Sequence, residues 1–149
     1  AGSPIVTVNL WLDRPVTDTA FVGLPGRTMQ WLFDKRIAIG QEASHLSLVS
    51  SGASEIVAAT NEELTAVAAQ EVRQALPRAR DAQLVRATVV REKRATFSLA
   101  PGQPERPRTR TGITGLVLAG DWIATGLPAT IESAVVSGYL AASELERSV

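Results

Sequence analysis

From Pro4 to Asp13 the chain alternates, with Val6, Val8, Leu10 and Leu12 on one side and Ile5, Thr7, Asn9 and Trp11 on the other. A period of two is the spacing of a half-buried β-strand, and Pro15 ends it. "FVGLPG" leads into a turn at Leu24-Pro25-Gly26, and "TMQWLFDK", residues 28–35, follows as a second strand, which reads as a hairpin. "SHLSLVSSGAS", residues 44–54, predicts a third strand stopped by Ser-Ser-Gly. The period then changes. Leu64, Val67, Ala68, Val72, Ala75 and Leu76 recur at helical spacing, Thr60 and Glu63 form a T-x-x-E capping box, and Pro77 stops the pattern. The polar positions Glu62, Gln70, Glu71, Arg73 and Gln74 complete an amphipathic helix lying on a sheet, with no chemistry visible in it.

Residues 82–98, "AQLVRATVVREKRATFS", are rich in β-branched side chains and predict a long strand. Pro101, Pro104 and Pro107 then rule out regular structure. Arg106, Arg108 and Arg110 in that loop form a small basic cluster, either a solvated loop or a contact for phosphate or carboxylate. Leu116 to Ala119 are apolar throughout, which predicts a short strand buried on both faces. "PATIESAVVSGYLAASELERS", residues 128–148, predicts a last helix. The class is α+β: a mainly antiparallel sheet with a covering helix, closed by a C-terminal strand–helix unit.

Composition narrows the function. The 149 residues suit one compact core. Fifteen basic residues balance fifteen acidic ones, so no global field favours nucleic acid, and no nucleic-acid partner is expected. There is no cysteine and only one histidine, His45, which excludes disulfides, thiolate sites and multi-histidine metal sites. No run of about 18 apolar residues occurs, so no transmembrane helix is predicted. The N-terminus has no signal-peptide form and no initiator Met, and it leads almost at once into a strand. The expectation is a piece of a longer chain.

The candidate chemistry lies in "GLVLAGDWIATGLPATIESAVVSGYL", residues 115–140. Gly120 lets the chain turn, or lets another group approach its backbone. Asp121 follows at the end of the predicted strand, where sheets of α/β type often bind ligands. Its carboxylate either caps a turn or accepts hydrogen bonds from a bound molecule. Pro128 and Thr130 mark the helix start. The first turn, at Ile131, Glu132 and Ser133, is then expected to present free N–H groups and a positive dipole end, suited to an anion or an electron-rich carbonyl. Ala134, Ser137, Gly138 and Ala141 form a small-residue face on that helix, expected to pack closely on another backbone. Left exposed, that face would favour a dimer.

This segment resembles the C-terminal signature of the flavin amine oxidase and phytoene desaturase superfamily: an apolar strand, A-G-D, a loop with a Pro, then T-I-E-x-A-x-x-S-G-x-x-A-A. "AGDW", "TGLPATIE" and the upstream "EKRATF" look most like the hydroxysqualene dehydroxylases of hopanoid biosynthesis. The similarity is strongest over residues 91–145 and extends more weakly through "PIVTVNLWLDRPV" and "MQWLFDK".

The resemblance implies FAD as cofactor and an apolar isoprenoid as substrate, with hydroxysqualene converted to squalene or a polyene desaturated. Asp121 would hold FAD near its ribityl–phosphate portion. Thr130, Ile131 and Glu132 would begin the helix facing the pyrimidine end of the flavin, and Gly120 and Trp122 would line the approach. Many relatives carry Gly where this chain has Ser133. Trp11, Trp31 and Phe33, with Leu46 and Leu48, are candidates for the substrate cavity, and plain core is the alternative for each. Glu132 is either an acid–base group or a helix-dipole partner. The resemblance also implies residues 1–110 as part of a substrate domain and 111–149 as the last strand and helix of a Rossmann-like FAD domain.

Such enzymes open with a G-x-G-x-x-G unit that holds the pyrophosphate, and no G-x-G-x-x-G occurs in this chain. The expected partner is therefore a missing N-terminal FAD-binding part, without which this chain binds FAD weakly or not at all. The expected location is the cytoplasm, peripheral to the membrane. Two other readings stay open: another amine oxidase-type flavoenzyme, or a free-standing α+β binding module without flavin.

Overall fold

The computed structural model describes residues 2–98 and 100–147. Leu99, in the expected Pro-rich loop, and Ser148, at the end of the expected last helix, lie outside the described residues. The chain divides into two compact units, Gly2–Ala95 and the segment from Thr96 onward.

The first unit holds a five-stranded sheet in the order β2-β3-β4-β1-β5. The strands are β1 (Gly2–Leu12), β2 (Phe21–Gly23), β3 (Trp31–Asp34), β4 (His45–Ser51) and β5 (Leu84–Phe97), the last reaching into the second unit. The β2/β3, β3/β4 and β4/β1 pairs are antiparallel. The alternation of β1 is realised as predicted: Val6, Val8 and Leu10 are fully buried. Opposite them in register stand Leu46 and Leu48 of β4, and Leu48 in turn faces Leu32 of β3. These side chains form one core with Leu64, Ala68 and Val72 of α2 (Asn61–Ala75). Burying each Leu or Val contributes ~1.5–3 kcal/mol, and the helical repeat of α2 exists to present that stripe to the sheet.

The capping box of α2 is present in both directions. The Glu63 N–H donates to Thr60 Oγ1 at 3.1 Å, and the Thr60 N–H donates to the Glu63 carboxylate at 2.8 Å. Glu71, expected as a plain exposed position, instead accepts the Thr28 N–H at 2.7 Å and the Met29 N–H at 2.9 Å. That contact shortens β3, which starts at Trp31 rather than Thr28: donors committed to a carboxylate are not available to a strand ladder. The end of β3 also differs from expectation. Asp34 accepts the Arg36 N–H at 2.9 Å and starts a short helix, α1 (Lys35–Ile39), closed by Gly40 at φ 70°. After α2, Pro77–Ala79 makes one 3₁₀ turn before β5.

Beyond the end of β5, the regular element named among the described residues of the second unit is α3 (Ile131–Glu146), capped at Thr130 as predicted. The expected strand over Leu116–Ala119 does not form. The pairing there is a single bridge between Arg110 and Val117, and Leu116 and Ala119 are exposed. A strand buried on both faces needs a neighbour along each edge, and no named strand of the second unit flanks this one. No described helix is long and apolar enough to cross a membrane.

Candidate functional site

The Gly120-Asp121-Trp122 turn and the start of α3 are held together by serine and threonine side chains. The Gly120 N–H donates to Ser137 Oγ at 2.7 Å, and that hydroxyl donates to the Ala134 carbonyl at 2.7 Å. Ser133 Oγ donates to the Asp121 carbonyl at 3.3 Å and lies 2.6 Å from Thr125 Oγ1. Ser133 and Ser137 are fully buried, and Ile123 is the buried apolar residue beside the turn. Gly120 adopts φ 141°, and a Cβ there would run into the Trp122 indole. The group that approaches the Gly120 backbone is thus the side chain two residues on.

Three polar groups are left over. The Asp121 carboxylate is half-buried and has no hydrogen-bond or ion-pair partner among the described residues, so it caps no turn. At the start of α3, the Ser133 N–H is taken by Thr130 Oγ1 at 3.1 Å and the Ala134 N–H by the Thr130 carbonyl. That narrows the expected free donors to the N–H groups of Ile131 and Glu132. Thr130, Ile131 and Glu132 are all exposed, Ile131 at 87%. The carboxylate can accept from hydroxyls, and the N–H groups at the positive helix end, tied to the same turn through Ser133, can donate to an electron-rich carbonyl.

The small-residue face of α3 divides. Ser137 and Ala141 are buried, whereas Gly138 is exposed with open space where its Cβ would stand. The close backbone approach expected at Gly138 occurs instead at Ser137, through its hydroxyl. In the basic cluster, Arg106 is structural, donating to the Leu127 carbonyl at 2.7 Å and lying over the Phe97 ring. Arg108 is exposed.

The cavity candidates belong to the first unit and share the sheet face opposite the core. Trp11 stacks on His45 with ring centroids 4.2 Å apart, and the Arg86 guanidinium sits 4.7 Å from the same indole. Trp31 is exposed, Phe33 is half-buried, and both lie near Phe21 or each other's row on that face. Leu46 and Leu48 point the other way, into the core. Neither is available to line a cavity on the aromatic face, because neighbours along a strand alternate sides.

Residues 2–145 match the family described as flavin containing amine oxidoreductase. The chain belongs to that family. Over 93% of its length it is 36% identical to a hydroxysqualene dehydroxylase of Sinorhizobium fredii and 39% identical to one of Rhodopseudomonas palustris. Over 97% it is 30% identical to a 15-cis-phytoene desaturase of an Oncidium hybrid cultivar. The chain spans 31% of the two dehydroxylases and 27% of the desaturase. For a flavin containing amine oxidoreductase, the spare polar groups of the Asp121 turn and the α3 start suit a cofactor with hydroxyls at one end and ring carbonyls at the other. Thr125, not singled out in the sequence, and Ser133 and Ser137, read there only as a helix-start donor and part of a small-residue face, act through their hydroxyls by holding that segment in shape. Their signal was only a spacing of small polar residues along α3.

Proposed function

We propose that this chain is the C-terminal part of an FAD-dependent oxidoreductase that acts on an apolar isoprenoid, converting hydroxysqualene to squalene. The observation that carries the reading is the Asp121 carboxylate, without a partner among the described residues, on a turn that Ser133 ties to the α3 start, where the Ile131 and Glu132 N–H groups are free. The 36–39% identity to hydroxysqualene dehydroxylases supports the substrate. The 30% identity to a 15-cis-phytoene desaturase favours a second reading, polyene desaturation on the same framework.

In this reading residues 111–149 complete a Rossmann-like FAD domain, and residues 1–110 contribute to the substrate domain. The flavin, when bound, supplies the redox step. Asp121 accepts hydrogen bonds from its ribityl–phosphate region, and the Ile131 and Glu132 N–H groups donate to the pyrimidine end. Gly120 and Trp122 shape the approach, and Thr130 keeps the helix start open by capping the next donor. Glu132 adds to the helix-dipole balance. Trp11, Trp31 and Phe33 give the isoprenoid an apolar surface and exclude water. The remaining FAD-binding part of the parent chain is the obligatory partner. A membrane-soluble substrate places that parent at the cytoplasmic face of the membrane. The exposed face of α3 makes this chain alone prone to self-association.

The test is flavin content in the full-length enzyme. Asp121→Asn keeps the size of the side chain, and the carboxylate has no partner among the described residues to lose. The expected outcome is a normally folded enzyme with reduced flavin occupancy. Full occupancy in both Asp121→Asn and Asp121→Ala overturns the assignment.

A further inference from the structure

The sheet face opposite the core can be laid out from its register. One cross-strand row is Trp11–His45, the next is Asn9–Ser47–Phe33–Phe21, and the next is Thr7–Val49–Trp31–Gly23. Strands lie ~4.8 Å apart and successive rows ~7 Å apart, so these rows span ~14 Å in each direction. Trp11, Phe21, Phe33, Trp31 and Val49 supply the apolar part of this surface. Trp31 lies over Gly23, where a Cβ would sit 3.6 Å from the indole.

Set into it is a chain of three polar side chains. His45 Nε2 lies 2.9 Å from Asn9 Oδ1, and His45 Nδ1 lies 2.7 Å from Gln41 Oε1. Burial, with Lys35 and Arg86 nearby, pushes the His45 pKa down, and Asp34 opposes this only in part. A neutral imidazole carries one N–H. With that N–H on Nε2, donating to Asn9 Oδ1, the Nδ1 lone pair can pair only with the NH2 end of the Gln41 amide, which sits in an exposed loop. The Trp11 stack holds the ring in place. Asn9, a half-buried residue, is then fixed at one end, while its Nδ2 has no partner among the described residues.

We propose that Asn9, positioned by His45, is the polar contact on this face that receives the hydroxyl oxygen of a hydroxylated isoprenoid. The inference rests on the functional reading above and deepens it. A hydrocarbon chain can slide along an apolar sheet face, because dispersion contacts carry no register. Thr7 and Ser47 also lie in these rows, but Asn9 is the one whose orientation His45 fixes, and an oriented donor gives a chain with a single hydroxyl a fixed position. Asn9 is the specificity residue, and His45 is a positioning residue that does not touch the substrate.

The test compares binding of hydroxysqualene and of squalene, which lacks the hydroxyl, to the full-length flavin-loaded enzyme. Wild type is expected to prefer hydroxysqualene. Asn9→Leu removes the donor. Asn9→Asp keeps the shape and the acceptor toward His45 but replaces the donor. Each is expected to cut the preference about tenfold, the worth of one hydrogen bond to a neutral group, with squalene affinity and flavin content unchanged. His45→Phe, which keeps the stack on Trp11, is expected to lose part of the preference by releasing Asn9. Equal loss of affinity for both ligands, or an unchanged preference in Asn9→Leu and Asn9→Asp, overturns this inference alone. A wild-type enzyme that binds neither ligand overturns the functional reading and this inference with it.

Discussion

The Gly120 N–H donates to the Ser137 hydroxyl at 2.7 Å, across seventeen positions of sequence, and this contact ties the Asp121 turn to the middle of α3. Ser137 is fully buried and passes its own proton to the Ala134 carbonyl. The hydroxyl therefore accepts from one backbone and donates to another. Ser137→Ala leaves the Gly120 donor without its partner, a loss of ~1–2 kcal/mol. Denaturant unfolding is expected to show that loss, and the Gly120 amide is expected to exchange about tenfold faster. An unchanged exchange rate would mean that the turn is held by something else.

Gly120 carries a second constraint. Its φ of 141° is unfavourable for any residue with a Cβ, and the Trp122 indole occupies the space that a Cβ needs. Gly120→Ala is expected to destabilise the second unit by ~1–3 kcal/mol. Trp122→Ala removes the clash but not the backbone strain. The double variant should therefore recover part of the loss and no more, which a double-mutant cycle measures directly.

Glu71 gives a prediction in the other unit. Its carboxylate takes two adjacent backbone donors, Thr28 and Met29. Charge-assisted bonds of this kind contribute ~1.5–3 kcal/mol each, offset by solvent because the site is only part-buried. Glu71→Ala is expected to cost more stability than Glu71→Gln, which keeps one acceptor. Amide exchange of Thr28 and Met29 should rise in both. Equal stability of the two variants would show that the packing and single acceptor kept by Gln add nothing, and that the loss is that of the charged pair of acceptors.

The pH dependence of stability should carry the signature of His45. Its pKa is depressed below 6.5 by burial first, then by Lys35 and Arg86. The unfolded chain therefore binds a proton that the folded chain resists, and stability rises with pH through the range just below 6.5. This contribution is complete above the unfolded value and is lost as pH falls toward the folded one. Urea midpoints of wild type and His45→Gln, measured across that range, are expected to diverge at the acid end, with wild type falling more steeply.

Much of the first unit was legible because its signals are local. The period-two alternation in β1 and the Thr60–Glu63 box each lie within a few residues, and the hairpin turn at Pro25-Gly26 is equally short. The missed features depend on distant partners. Nothing near Asp34 announces α1, since the same residues read as the continuation of a strand. Glu71 looks like any exposed helix residue until the Thr28 turn is brought against it from more than forty positions away. Leu116–Ala119 failed in the opposite sense: a run of apolar residues reads as a buried strand, but burial and ladder bonds have to come from neighbours, and among the described residues its pairing is the single Arg110–Val117 bridge.

For the candidate site, the sequence by itself determined the residue types and the start of α3: Gly120, Asp121 and Trp122 in a row, Pro128, and Thr130 as the cap. These follow from backbone preferences and from the spacing of capping residues, which act over one helical turn. Only the tertiary structure decided which polar groups remain unused. Ser133 and Ser137 satisfy the turn, Thr130 takes the Ser133 donor, and Asp121 with the Ile131 and Glu132 N–H groups is left over. On the sheet face, likewise, only folding set His45 beside Asn9 and left one end of that amide open. A hydrogen-bonding group becomes available to a ligand through what its neighbours do not take, and those neighbours are set by the packing of the whole unit.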